Sequence, residues 1–102
     1  MSKKENDFQS KLITKLKDRF DGCMVMKLDP NYIQGVPDLL VLYEDKWATL
    51  ECTRSSKALI RPRPNQKYYV EKMNEMSFSR FIFPENEEEV LNDLQQAFQS
   101  RR

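Results

Sequence analysis

Apolar side chains between residues 7 and 20 recur at helical spacing. Five of them stand three or four residues apart, which is typical of one face of an amphipathic helix. They are Phe8, Leu12, Ile13, Leu16 and Phe20. Ser2 and Glu5 have the S-x-x-E spacing of a capping box and predict that the helix begins near Ser2. Asp21 and Gly22 predict its end.

The next thirty residues change to the shorter, continuous apolar runs of β-strands. Strands are predicted over residues 23–28, 39–43 and 47–53, and Glu44, Asp45 and Lys46 form the turn between the last two. Apolar residues occupy both faces of these two strands. The hairpin is therefore predicted to be central in its sheet and covered on both sides.

The second half of the chain predicts a loop, a helix, a strand and a helix. A basic loop covers residues 54–63, and Pro64 fits the first turn of the second helix. A short strand follows over residues 79–83, and Asn86 is the predicted N-cap of the last helix. The element order is αβββαβα. With 102 residues, the chain is predicted to form a single α/β domain over residues 1–102.

The composition restricts the possible chemistry more than it restricts the fold. The chain contains no histidine, which excludes Ser-His-Asp and Cys-His nucleophile systems and histidine-ligated zinc. Two cysteines cannot complete a four-thiolate zinc site. Any catalysis must therefore depend on carboxylates, on lysines or on a metal ion bound by oxygen atoms.

The formal net charge of +1 conceals two segregated blocks. Residues 53–67 contain five basic and no acidic residues, and residues 84–99 contain five acidic and no basic ones. The basic residues are Arg54, Lys57, Arg61, Arg63 and Lys67. Arginine is a good phosphate ligand, so this block is the candidate nucleic-acid contact. The acidic block is interpreted as a solvated face.

No segment predicts export or a membrane span. The longest apolar run covers only residues 39–43, whereas a spanning helix needs about 20 apolar residues. The N-terminus has no apolar stretch that could serve as a signal peptide. We therefore expect a cytoplasmic protein with no membrane partner and with free thiols at Cys23 and Cys52.

Two carboxylates are predicted to meet on one face of the hairpin. With Glu44 and Asp45 at its tip, Asp38 lies directly opposite Glu51, with their Cβ atoms about 5 Å apart. Such a pair favours an oxygen-ligated divalent cation, and Mg²⁺ fits best. In the alternative interpretation Asp38 caps the strand and Glu51 points to solvent or to an arginine. A register slip of one residue would also separate the pair.

At these residues the chain resembles a known family. The stretch G-V-P-D-L-L-V-L at residues 35–42, followed by W-A-T-L-E-C-T at residues 47–53, resembles the PD-(D/E)xK nuclease superfamily. It is most similar to small stand-alone phage-type VRR-NUC nucleases. The resemblance covers nearly the whole chain and implies a restriction-endonuclease-like αβββαβ core with a C-terminal helix and a mixed sheet around an antiparallel hairpin.

The resemblance also implies roles for individual residues. Asp38 and Glu51 would hold Mg²⁺ or Mn²⁺, together with the backbone carbonyl of Cys52. Glu5, or less favourably Asp7, would match the acidic residue of the first helix, which acts on the metal directly or through water. Gln66 would match the glutamine beside the active site on the second helix.

One residue departs from the family pattern. The motif ends in a lysine that orients the attacking water, and this chain has Thr53 there. A lysine could reach the site from elsewhere, with Lys57 and Lys27 as candidates. The metal could also act alone at a reduced rate, or the domain could bind without cleaving. Losing such a charge costs about 3 kcal/mol of transition-state stabilisation, roughly a hundredfold in rate.

The leading expectation is a Mg²⁺-dependent DNA endonuclease directed by the structure of its substrate, such as branched or junction DNA. The basic loop would hold the DNA backbone without reading the sequence. The resemblance further implies a homodimer in a bacterial or phage-infected cytoplasm. The alternatives are an inactive nuclease-fold module that binds nucleic acid, and a protein-interaction domain that uses the acidic last helix.

Overall fold

A computed structural model describes residues 3–59 and 62–99 of the chain, without the side chains of residues 3–6 and 58. Three helices and four strands follow in the predicted order. They are α1 Lys3–Arg19, β1 Met24–Lys27, β2 Leu39–Tyr43, β3 Lys46–Cys52, α2 Pro64–Met76, β4 Ser79–Ile82 and α3 Glu87–Gln99. The predicted element order is confirmed, and the basic loop also contains a short 3₁₀-helix, Ser56–Leu59.

The four strands form one mixed sheet in the order β1-β2-β3-β4. The pairs β1–β2 and β2–β3 are antiparallel, whereas β3 and β4 are parallel and are joined by the crossover helix α2. The β2–β3 hairpin therefore lies at the centre of the sheet, as its two-sided apolar pattern predicts. The α/β class and the mixed sheet with an antiparallel hairpin are confirmed.

The main core lies on the sheet face that α1 and α3 cover. Alternate residues of the hairpin point to this face and are fully buried, among them Leu39, Val41 and Leu50. They pack in one cluster with Leu16 of α1 and Leu94 of α3. Because side chains alternate along a strand, the residues between them point to the opposite face.

Helix α2 covers part of that opposite face, where polar side chains of β3 lie. The Thr49 hydroxyl is 2.8 Å from the Ser79 hydroxyl of β4 and 3.4 Å from the Met73 sulfur of α2. Glu51 follows Thr49 by two residues and so points to the same face. The crossover helix therefore lies directly above the carboxylate of Glu51.

A two-residue turn sets the register of the hairpin. Tyr43 pairs with Lys46, and Leu39 pairs with Leu50 at the other end. Glu44, the first turn residue, has a φ of 57°, in the left-handed region that non-glycine residues seldom adopt. Continuing the same register by one residue places Asp38 opposite Glu51, as predicted.

Two predicted helix caps, at the starts of α3 and α1, can be compared with the structure. The Asn86 side-chain oxygen accepts a hydrogen bond from the Phe83 amide at 2.8 Å, and its nitrogen donates to the Phe81 carbonyl at 3.1 Å. Asn86 directly precedes α3, and its carbonyl accepts from the Val90 amide at 2.9 Å. It therefore stands at the predicted N-cap position, while its side chain holds the turn after β4. Ser2 of the predicted capping box lies outside the described residues.

The acidic start of α3 also has a structural contact. Glu87 pairs with Lys15 of α1 at 2.5 Å, and Arg19 of α1 donates to the Gln95 side chain of α3 at 2.8 Å. These contacts join the two helices that cover the core. None of the described helices combines the length and the apolar character needed to cross a membrane.

Candidate active site

A pocket of about 750 Å³ opens at the end of the hairpin away from its turn. Its walls come from the residues before β2, the end of β3, the segment after β3 and the first turn of α2. Asp38, Glu51, Thr53 and Gln66 all line it. The structure thus brings together four of the residues that the sequence singled out, although they lie up to 28 positions apart in the chain.

Asp38 stands where the backbone pairing of β2 and β3 stops. Its Oδ2 accepts a hydrogen bond from the Cys52 amide at 2.9 Å. The amide and the carbonyl of a strand residue point to the same side, so the Cys52 carbonyl also faces Asp38. The Asp38 backbone carbonyl accepts from the Leu28 amide of the segment after β1 at 2.9 Å, which fixes the position of this residue.

Glu51 lies deeper in the pocket, and its side chain is only 4% exposed. Its Oε2 accepts a hydrogen bond from the Gln66 side chain of α2 at 2.9 Å. The other oxygen, Oε1, is buried as well. A carboxylate that is buried beside a second carboxylate opposes folding, both by desolvation and by like-charge repulsion.

Thr53, where the resemblance would call for a lysine, lies at the pocket wall. Its amide donates to the Ile82 carbonyl of β4 at 2.9 Å, and its hydroxyl lies 3.5 Å from the Ser55 carbonyl. Both lysine candidates lie elsewhere. Lys57 is exposed on the 3₁₀-helix outside the pocket lining, and Lys27 pairs with Leu39, whose side chain points to the other face of the sheet.

The described cations of the pocket wall are two arginines. Arg54 follows Thr53, and Arg63 stands immediately before α2; both residues are exposed. Lys67 is exposed on α2 and lies outside the pocket lining. The basic block is evident from the sequence, but the placement of these two arginines beside the carboxylates is not.

Three further site residues have a more limited description. Arg61 lies outside the described residues, and so does the side chain of Glu5, although its backbone belongs to α1. Asp7 is an exposed residue of α1 and does not line the pocket. The expected contribution of an acid from the first helix therefore stays a prediction.

Gly35 explains one letter of the G-x-P-D motif in physical terms. Its φ is +92°, a backbone conformation that side chains disfavour. A Cβ atom at this position would lie within 3.0 Å of both Cβ and the backbone carbonyl carbon of Asn65. Gly35 therefore lets the loop before β2 approach the first turn of α2, beside Gln66. In the sequence, this close approach is indicated only by the glycine two residues before Pro37.

The donor set fits a magnesium ion. Among the described residues, no cluster of three or more histidine, cysteine, aspartate and glutamate side chains is placed to hold a metal. Mg²⁺, however, is commonly bound by only one or two carboxylates, with water and substrate phosphates completing its octahedral shell. Asp38, Glu51 and the Cys52 carbonyl provide hard oxygen ligands of this kind.

A thiol mechanism finds no support in the described residues. Cys23 does not line the pocket, and burial raises the pKa of its thiol. A raised pKa keeps the thiol protonated at neutral pH, and the protonated form is a poor nucleophile. Cys52 does line the pocket, but it is buried and belongs to the core cluster with Leu39 and Leu50. The groups that the pocket presents are therefore mainly oxygen and nitrogen groups.

Searches of protein-family models, of curated proteins and of solved structures find no match to this chain.

Neutral substitutions of the two carboxylates test whether they form a metal site. We expect Glu51→Gln to raise the free energy of unfolding by about 1 kcal/mol without Mg²⁺, since it removes a buried charge and keeps an acceptor for Gln66. Mg²⁺ at about ten times its Kd should stabilise the wild type by about 1.4 kcal/mol. Asp38→Asn and Glu51→Gln should both lose most of that gain.

The measurement is thermal unfolding with and without Mg²⁺, with NaCl at matched ionic strength as the control. Asp38→Asn keeps an oxygen that can accept from the Cys52 amide, so a folding defect does not obscure the result. Equal stabilisation of the wild type and of both variants by Mg²⁺ would show that the ion binds elsewhere.

A pair of glycine variants tests the approach of the loop to α2. Gly22 has a φ of +84° but open space where a Cβ atom would lie, whereas Gly35 has both the positive φ and the close contact with Asn65. Gly35→Ala should therefore destabilise the protein more than Gly22→Ala, which carries only the backbone strain of about 1 kcal/mol. Urea denaturation of both variants measures the difference, and equal losses would contradict the close contact.

Proposed function

We propose that the chain is a metal-dependent endonuclease that hydrolyses phosphodiester bonds in branched DNA. The observation that carries this proposal is the convergence of Asp38 and Glu51 in one pocket whose walls also present Arg54 and Arg63. Carboxylates suit a divalent cation, and arginines suit a phosphate. A phosphodiester is the substrate that needs both at once.

Each residue of the pocket has a defined task under this proposal. Asp38, Glu51 and the Cys52 carbonyl hold Mg²⁺ or Mn²⁺. When bound there, the ion supplies Lewis-acid polarisation of the scissile phosphate and activates water for attack. Gln66 orients the Glu51 carboxylate through its 2.9 Å hydrogen bond, and the Cys52 amide orients Asp38 at 2.9 Å.

The two arginines offer a replacement for the motif lysine. Thr53 brings no charge to the pocket wall, and no described lysine lines the pocket. A guanidinium at residue 63 or 54 can bind a non-bridging phosphate oxygen and offset the charge that develops during hydrolysis. Arg63 also adjoins the first turn of α2, whose amide groups add partial positive charge.

The rest of the basic block then holds the DNA backbone. Lys57 and Lys67 are exposed on the two elements that flank the pocket, the 3₁₀-helix and α2. Their charges are suited to phosphates some distance from the scissile bond, which position the duplex without reading its sequence. Arg54 and Arg63 contribute to the same surface.

Thr53 favours a second candidate function, a nuclease-fold module that binds nucleic acid without cutting it. The same pocket and basic surface would serve this role, since phosphate binding needs no lysine at position 53. The two functions differ in one measurable property, which is cleavage that depends on Asp38.

Cleavage of labelled four-way junction and splayed-arm DNA in Mg²⁺ or Mn²⁺ separates the two functions. We expect the wild type to cut, and Asp38→Asn to reduce the rate by at least about a hundredfold because it removes metal-ligand charge. Binding in Ca²⁺, measured by fluorescence anisotropy, should be retained by Asp38→Asn. Binding without cleavage by the wild type would favour the module, and no binding at low salt would eliminate both.

The same assay tests the arginine replacement. Arg63→Ala or Arg54→Ala should lower the cleavage rate by about a hundredfold, more than the matched variant Lys67→Ala, which removes a charge outside the pocket. Adding Thr53→Lys to the impaired arginine variant should restore most of the rate. If Lys67→Ala is equally slow, the arginines act only through general phosphate attraction.

The expected homodimer gains a candidate surface on the sheet. On edge strand β1, Met24 and Met26 are 60% and 45% exposed. They pair with Leu42 and Leu40 on the face that α2 only partly covers. An exposed apolar face on an edge strand is a typical site of self-association.

We expect light scattering after size-exclusion chromatography to give the mass of a dimer, and Met26→Lys to give a folded monomer that has lost only the stabilisation due to dimerisation. Dimerisation would bury the unpaired charge of the new lysine, which is unfavourable, so the variant should not dimerise. A wild-type mass of one chain at high protein concentration contradicts the dimer.

The proposed location of this activity is the cytoplasm of a bacterium or of a phage-infected host. Cys23 and Cys52 both carry free thiols, as a reducing compartment favours.

A further inference from the structure

The connection between β1 and β2 is a loop with its own internal hydrogen bonds. The Asp29 carboxylate accepts from the Asn31 amide at 2.8 Å, and the Asp29 carbonyl accepts from the Tyr32 amide at 3.1 Å. The Val36 amide donates to the Ile33 carbonyl at 3.2 Å. These bonds hold the loop backbone and so fix the point on the surface from which the Tyr32 side chain projects.

The loop presents apolar side chains to the solvent. Tyr32 is 84% exposed and Ile33 is 37% exposed. Together with Leu28, Asp29 and Val36 they line a cavity of about 480 Å³. Exposed apolar surface around a concave site is typical of a ligand-binding position.

This cavity adjoins the candidate active site. Val36 lines both the cavity and the pocket that contains Asp38 and Glu51. Gly35 and Gln34, which precede Val36, also belong to the pocket wall. A nucleotide whose phosphate lies at the carboxylates therefore has its base within reach of the apolar loop.

We propose that the cavity beside Tyr32 binds an unpaired nucleobase adjacent to the scissile phosphate, with the Tyr32 ring stacked on the base. This inference rests on the proposed nuclease function and specifies its substrate. Base-aromatic stacking tolerates any base because every base has a π-face. The bases of an intact duplex are stacked on one another, so the cavity admits only a base at a branch, flap or single-stranded end.

The charges agree with phosphate binding in the pocket at Asp38 and Glu51 and base binding in the cavity beside Tyr32. The phosphate side contains Arg54 and Arg63, whereas Asp29 is the only charged residue among the described residues that line the cavity. A phosphate would be repelled from the cavity, while a neutral base would lose little by leaving water. The chain thus separates backbone contacts from base contacts over one short stretch of surface.

An apolar peptide side chain could also occupy such a cavity. The nucleobase is favoured because the cavity shares a wall with a pocket suited to phosphate, which places both parts of one nucleotide. A peptide side chain would not require a phosphate-binding pocket beside the cavity.

Binding measurements with cleavage suppressed test the stacking site. The DNAs are a blunt duplex and the same duplex with a single-stranded tail, in Ca²⁺, measured by fluorescence anisotropy. We expect Tyr32→Ala to weaken binding of the tailed DNA by about tenfold, the typical effect of losing one stacked base. Tyr32→Phe should bind like the wild type, and binding of the blunt duplex should change by less than about twofold because phosphate contacts dominate it.

The matched control is Tyr68→Ala, which removes an exposed tyrosine of α2 that lines neither the pocket nor the cavity. It should leave the preference for tailed over blunt DNA unchanged. A 2-aminopurine base in the tail gives a second readout, since stacking on Tyr32 should quench its fluorescence in the wild type and in Tyr32→Phe but not in Tyr32→Ala. Thermal unfolding verifies that all variants fold.

Several outcomes would overturn the inference. One is that Tyr32→Ala loses equal affinity for tailed and blunt DNA, and another is that it loses affinity for neither. A third is that Tyr68→Ala loses the preference for tailed DNA as much as Tyr32→Ala does. If the wild type cuts DNA in an Asp38-dependent manner while Tyr32→Ala is unaffected, the stacking site fails and the nuclease stands. If Tyr32→Ala loses the tail preference but no cleavage occurs, the nuclease fails and the base site stands. A wild type that binds neither DNA eliminates both.

Discussion

The register of the β2–β3 hairpin is the constraint on which the candidate site depends. The two-residue turn at Glu44 and Asp45 sets Leu39 opposite Leu50, and the next pair in that register is Asp38 and Glu51. A slip of one residue would move one carboxylate to the opposite face of the sheet and would expose a buried leucine at the same time. The core and the site therefore require the same register, and the apolar packing of one fixes the geometry of the other.

Helix α2 completes the site from across the sheet. It joins β3 to the parallel strand β4 and lies over the face that contains Glu51. Its first turn can come close only because Gly35 has no side chain to meet Asn65. The glycine of the motif and the glutamine of α2 are thus two parts of one contact, although they lie thirty-one residues apart in the chain.

The site also contains carboxylates that destabilise the folded state. Glu51 is a nearly inaccessible carboxylate on a central strand, where an apolar residue would pack at no electrostatic cost. Its neighbour Asp38 serves the structure through the Cys52 amide, yet it adds a second negative charge. Positive charge comes from Arg54 and Arg63, which lie outside the helices and strands, and not from Thr53, which directly follows β3.

The sequence by itself determined the order of helices and strands, the central hairpin and the opposed positions of Asp38 and Glu51. These depend on local periodicity and on a short turn, which neighbouring residues control. Only the tertiary structure decided that Gln66 bonds Glu51, that Lys27 faces away, that two arginines line the pocket, and that the Asn86 side chain bonds the turn after β4. These arrangements depend on how the crossover and the loops return to the sheet, which is set by packing between residues distant in the chain. Local patterns carry no information about such contacts. Reading the sequence could therefore name the residues of the site, but not the bonds and positions that bring them together.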